Sequence, residues 1–104
     1  MSVLSITFHC TKNHIGEWEN YVDDTLVIMT ENLMDVDKYI LSEVHSDFIE
    51  DGKNYNLLLI FDDEEKRSEF MESELLNISE RIENKFGQEV MIFTTFLNPK
   101  KKKI

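Results

Sequence analysis

The chain has 104 residues, 41% hydrophobic and 31% charged, with three Gly and one Pro, the make-up of a single compact domain around one core. Its net charge is −10; setting aside the run Lys100 to Lys103, seven basic residues face 21 acidic ones, a balance of −14, which argues against nucleic-acid binding. No apolar run approaches the ~20 residues of a membrane span, and Met1-Ser2-Val3-Leu4-Ser5 lacks the basic start of a secretory signal.

In chain order, residues 3–10 alternate, with Leu4, Ile6 and Phe8 on one face and Ser5, Thr7 and His9 on the other. That is a half-buried strand. The lone Cys10 reads as a buried free thiol of a cytoplasmic protein, with no motif around it for redox or nucleophilic chemistry. Asn13 is placed to cap a helix whose stripe, Ile15, Trp18, Val22, Leu26, Met29 and Leu33, recurs at spacings of three and four and ends around Thr30 to Met34.

A second strand is expected from about Lys38 to Phe48. The turn Glu50-Asp51-Gly52-Lys53 joins it to a third, Tyr55 to Phe61, since Asp-Gly between two such runs signals a hairpin. Leu57 to Phe61 is continuously apolar, as in a central strand. Asp62-Asp63-Glu64-Glu65 predicts a capping box with Asp62 at N-cap and Glu65 at N3. One helix follows, with Phe70, Leu75, Ile78, Ile82 and Phe86 inward and Gly87 as its left-handed stop. Met29, Met34 and Met91 are read as core filling.

The last strand, Gly87 to Leu97, is apolar on both faces: Val90, Ile92 and Phe96 point one way, Met91, Phe93 and Leu97 the other. The order of elements predicts an α+β, ferredoxin-like βαββαβ fold. Its antiparallel sheet has order 4-1-3-2 with two helices on one face, and the first and third strands are expected side by side and parallel. One domain would span residues 1–98, followed by a disordered basic tail over 99–104. The fourth strand is then a long, two-sided apolar edge without a bulge or inward charge, which needs cover, as does the sheet face away from the helices. A homodimer whose sheets face each other and whose edges close into a barrel covers both.

The length, the Trp-bearing first helix, the Asp-Gly hairpin and the ending Lys85-Phe86-Gly87-Gln88-Glu89-Val90-Met91-Ile92-Phe93-Thr94-Thr95 resemble a small bacterial family of unknown function. That family is similar to the dimeric α/β-barrel superfamily, which includes antibiotic-biosynthesis monooxygenases, stress-response barrel proteins and haem-degrading enzymes. The resemblance implies a dimeric barrel and no particular reaction. The haem-degrading members use an Asn, a Trp and a His around a cavity; here the first strand carries no Asn, the only Trp lies on the first helix and the second helix has no His, which argues against that activity.

His9, Glu43 and His45 invite a metal reading. If the first two strands run antiparallel with the third between them, His9 and His45 sit towards opposite ends of the sheet, and two strand spacings alone separate them by ~9–10 Å. Glu43 and His45 share a face and form at most half a site. His9 with Ser5, Thr7 and a threonine of the last strand, Thr94 or Thr95, is the candidate lining of a cavity, with His9 as general base. Trp18 is the candidate roof of a pocket between the first helix and the sheet, alongside its plainer reading as core. The cluster Asp62 to Glu65 lacks Ca²⁺-loop spacing, and neither a phosphate loop nor Zn-type spacing occurs. No cofactor is implied.

Taken together, these features predict a non-catalytic homodimeric barrel that binds a small apolar ligand or a partner. The alternative is a cofactor-independent enzyme, monooxygenase- or isomerase-like, using a cavity between the first helix and the sheet. A third, an RNA-binding module, would need exposed aromatic and basic residues on the sheet.

Overall fold

The computed structural model describes residues 1–45 and 51–103. Strands β1 (Ser2–Cys10), β2 (Val36–Glu43), β3 (Lys53–Phe61) and β4 (Val90–Leu97) form one sheet of order β2-β3-β1-β4, that is, 4-1-3-2 counted from the opposite edge. Every neighbouring pair is antiparallel. The expected parallel pairing of β1 with β3 is therefore corrected: Ser2 pairs with Phe61 and Cys10 with Lys53. A hairpin forces β2 against β3, and β3 lies beside β1, so β1 and β2 are parallel to each other and exit at the same end of the sheet.

The alternation in β1 decides its faces. Leu4, Ile6, Phe8 and Cys10 are fully buried and face the helices with Leu57, Leu59 and Phe61 of β3. Burying such side chains contributes about 1.5–3 kcal/mol each, which makes a one-residue slip of register prohibitive. Trp18 is the hub of the helix side, packed on Phe8, Tyr21, Tyr55 and Phe86 with ring centroids 5.4 to 6.5 Å apart.

The first helical stretch is not uniform. A 3-10 turn (Lys12–His14) leads into α1 (Ile15–Tyr21), a π-helical segment (Val22–Leu26) and α2 (Val27–Glu31). Asn13 lies inside the 3-10 turn and caps nothing: Thr11 and His14 precede the two helical pieces, neither with a side-chain cap bond. The second helix is split at Ser73 into α3 (Glu64–Glu72) and α4 (Glu74–Phe86). Its cap is Asp63, one residue later than expected, whose Oδ1 accepts the Lys66 N–H at 2.9 Å. Gly87 ends α4 at φ 60°, ψ −131°, a positive φ but outside the left-handed helical well, and a short 3-10 turn (Gly87–Glu89) delays β4 to Val90.

The second strand is shorter than predicted, ending at Glu43; the expected continuation over residues 46–48 lies outside the described residues. Among the methionines, Met29 packs against the core, whereas Met34 is 95% exposed and Met91 is also exposed, so neither fills the interior. No helix among the described residues is long and apolar enough to cross a membrane.

Candidate functional site

Registers across the sheet map the face turned away from the helices. One row runs Lys38, Ile60, Val3, Leu97; the next Ile40, Leu58, Ser5, Thr95; the next Ser42, Asn56, Thr7, Phe93; the last Asn54, His9, Met91. Lys38 is the sole formal charge in these rows. Ile40 is 56% exposed and Phe93 54%, with Met91 and Leu97 close behind. Between the apolar flanks lies a neutral polar strip. Asn56 Nδ2 donates to Ser5 Oγ at 2.8 Å and to Thr7 Oγ1 at 3.3 Å.

His9 ends that strip and is held on two sides. Its Nδ1 is hydrogen-bonded to Asn54 Oδ1 at 2.6 Å, a contact in which an Nδ1–H is the donor. Its Cε1–Nε2 edge abuts Gly52, where a Cβ would fall 2.9 Å from Cε1 and 3.1 Å from Nε2. The imidazole fastens the β2–β3 hairpin to β1.

The helix side of the same sheet end holds a charged cluster. Lys53 Nζ lies 2.8 Å from Glu19 Oε2 and 2.8 Å from Glu43 Oε1, and the Tyr55 hydroxyl donates to Glu19 Oε2 at 2.5 Å. Hydrogen bonds from Lys53, then Tyr55, hold the Glu19 carboxyl below its ordinary range. The two carboxylates raise the Lys53 ammonium above its usual value. Burial, then Glu19, pushes the Tyr55 phenol up to about 12. At neutral pH the lysine stays charged and the phenol neutral, so the cluster fastens α1 to β2 and β3 and is not poised for proton transfer.

Among the described residues, the grooves on the helix side include two that reach the sheet. The larger, about 670 Å³, lies between α4 and β4, with Leu75, Ile82, Val90 and Ile92 among its walls, Ser79 and Thr94 facing in and Glu83 on its lining. The smaller, about 340 Å³, runs between the π-helical segment and the sheet, lined by Val22, Asp23 and Val27 against Tyr39, Leu41, Ser42, Glu43 and Tyr55. A pocket was expected between the first helix and the sheet; Trp18 is not on this one, being fully buried in the core.

The residues singled out in the sequence therefore fall in three places. Thr7 and His9 lie on the open face, Trp18 lies in the core on the opposite side, and Thr94 pairs with Ile6, so it faces the helix side at the α4–β4 groove. Thr95, opposite Ser5, is the threonine that joins the polar strip. Among the described residues no single cavity brings Thr7, His9, Trp18 and Thr94 together, since they lie on opposite sides of the sheet. The expectation that His9 and His45 sit at opposite ends of the sheet is corrected: β1 and β2 are parallel, so the end of β2 that carries Glu43 and leads to His45 is the end at which His9 lies. Glu43 is nonetheless spent on Lys53, it faces the helix side, and no group of three or more His, Cys, Asp or Glu that could hold a metal occurs among the described residues.

Sequence reasoning missed two features. One is the Lys53 cluster, whose only signal was the pairing of Glu43 with Tyr55 implied by the hairpin. The other is Arg67, 6% exposed, whose NH1 donates to Val3 O at 3.0 Å, Leu97 O at 3.3 Å and Asn98 Oδ1 at 3.2 Å while the guanidinium lies over Phe96. Its position three residues before Phe70 on the inner stripe was the available clue.

No curated protein matches the chain. Solved structures do, at fold level. A protein of the ethyl tert-butyl ether d (ethd) family from Bacillus halodurans c-125 aligns with TM-score 0.67 at 15% identity, over 91% of this chain and 97% of that one. HapK from Hahella chejuensis aligns with TM-score 0.68 at 9% identity, over 100% and 97%. A dimeric ferredoxin-like protein from an uncultured marine organism aligns with TM-score 0.66 at 11% identity, over 100% and 99%. These similarities establish an α+β, ferredoxin-like fold. Residues 1–100 match the family model described as Domain of unknown function (DUF4286), and the chain belongs to that family.

Proposed function

We propose that this protein is a homodimeric, barrel-type binding module without catalytic machinery of its own, in which the open sheet faces of two copies pack together. The observation that carries the reading is the composition of that face: exposed Ile40, Met91, Phe93 and Leu97 around a neutral polar strip, with Lys38 as the one charge in its paired rows. Exposed apolar area of this kind is the mark of an interface, and β4, eight residues without a charge, is an edge that profits from the same cover. The dimeric ferredoxin-like protein of similar fold supports the choice of a second copy as that cover.

In such a dimer, Ser5, Thr7 and Asn56 would lie between the sheets with their hydrogen bonds made within one chain, so apposition need not orphan them. The binding role is favoured over the cofactor-independent enzyme because His9 is engaged along both edges. Light scattering tests the assembly. The expected mass is twice the 12.3 kDa chain at micromolar concentration, since an interface of ~1,600 Å² or more persists there, and Phe93→Glu should return it to one chain. A single-chain mass for the wild type overturns the reading.

A further inference from the structure

The groove between α4 and β4 lies on the helix side but adjoins the sheet face on which dimerisation rests, since Met91 and Phe93 of that face also line its rim. α4 covers β4 only near its start: Val90 is buried and Ile92 half-buried, while Thr94 and Phe96 on the same side are exposed. The uncovered length leaves a space of about 670 Å³, within the ~300–1,000 Å³ of small-molecule sites. Its inner wall is apolar, from Leu75, Ile82, Val90 and Ile92.

Polar groups converge on it without protein partners. The hydroxyls of Ser79 on α4 and Thr94 on β4 make no hydrogen bond among the described residues. The backbone of β4 adds more. Thr11 N–H bonds Glu89 O at 2.9 Å, and bonded pairs alternate in an antiparallel ladder. Residues 91, 93, 95 and 97 thus turn their backbone groups to β1, and Ile92 and Thr94 turn theirs outward at the groove. Glu83 is the only charged residue on the lining, and the chain carries −10 overall, so anions are disfavoured.

From this geometry we infer that the α4–β4 groove is a binding site for an uncharged, mainly apolar small molecule that hydrogen-bonds Ser79 or Thr94. The inference rests on the binding reading above and gives it a site and a ligand class. Bound there, the molecule supplies the cover that the helix layer does not give β4.

The test uses the full chain and N-phenyl-1-naphthylamine, an uncharged apolar fluorophore, with mass measured by light scattering on the same samples. Saturable fluorescence enhancement with one site per chain is expected. Ser79→Trp and Thr94→Trp fill the groove from opposite walls, and each should weaken binding at least tenfold at unchanged mass and urea midpoint; two variants guard against one misfolding. Leu58→Glu on the open face should leave the groove's affinity within twofold. Absence of binding, or binding that neither filling variant weakens, overturns the site while a double mass leaves the dimer standing. A single-chain mass with binding lost in both filling variants sinks the dimer and keeps the site. A wild-type mass above two chains that falls in the filling variants means that a strand of another copy occupies the groove, and overturns the small-molecule assignment.

Discussion

Replacing Gly52 by Ala should be among the most damaging one-carbon changes in this protein. Gly52 sits at φ +104°, and a Cβ there would lie 2.2 Å from the Cys10 carbonyl oxygen as well as against the His9 ring. The positive φ alone costs a side-chain-bearing residue about 1–3 kcal/mol. The carbonyl cannot step aside, because Cys10 is paired with Lys53 on one side and Val90 on the other. The turn has to move instead, straining the His9–Asn54 bond of 2.6 Å and the Val44 N–H bond to Asn54 O of 2.9 Å. Together these place the loss at about 3 kcal/mol, against a typical total of about 5–15. At about 4–8 °C per kcal/mol for a domain of this size, the melting temperature should fall by roughly 10–25 °C. Gly16→Ala is the internal comparison: it lies in α1 with nothing within 4 Å of the added carbon, and should stabilise by about 0.5–1 kcal/mol. Urea unfolding followed through Trp18 measures both. If Gly52→Ala lies within about 0.5 kcal/mol of wild type, the close approach of the hairpin to β1 is wrong.

Three further outcomes are expected. The Glu19 carboxyl is depressed in the fold by Lys53 and Tyr55, so its stabilisation is present above the ordinary carboxylate pKa and is lost as pH falls through the folded value. Glu19→Gln should accordingly be less stable at neutral pH yet lose less on acidification, as acid titration of both proteins by circular dichroism will show. Burial, aided by Glu89 and Glu19, pushes the Cys10 thiol up to about 11, so Ellman's reagent at pH 8 should react only as fast as the chain opens, and a rapid native reaction refutes the buried placement. The Trp18 indole N–H is buried without an acceptor among the described residues; Trp18→Phe should therefore cost less than the ~3–5 kcal/mol of a large-to-Ala truncation, because relief of that orphan donor offsets part of the cavity, and a loss in the full range on urea unfolding contradicts it.

Much of the fold was legible because single residues carried decisive chemistry. Alternation of Leu4, Ile6 and Phe8 against Ser5, Thr7 and His9 identified both faces of β1, Asp51-Gly52 located the hairpin, and Leu75, Ile78, Ile82 and Phe86 marked the buried side of α4. Strand direction was misjudged although it follows from the hairpin, since β3 must oppose both β2 and its other neighbour β1 in an antiparallel sheet. The break at Ser73 left one trace, the step of five between Phe70 and Leu75, which falls off the three-and-four spacing of a single helical stripe; each is buried on its own helix. The site was less legible still. Thr94 and Thr95 are chemically alike, and only the register with Ile6 and Ser5 separates the groove from the open face. Lys53 looked like a turn residue until Glu19, far away in the chain, supplied its partner.

The central place of β1 also bears on how the chain folds. This strand is the first in sequence, yet Val3 must meet Ile60 on one side and Leu97 on the other. Neither neighbour is local, so β1 gains its first sheet partner only when a distant part of the chain has been gathered to it, and the entropy of that long closure is met before the pairing rewards it. The β2–β3 hairpin can form early, but it stays short of its buried face until β1 docks. Refolding should therefore be slow for a protein this small, with substitutions in the β1 seam registering chiefly in the rate at which native sheet appears.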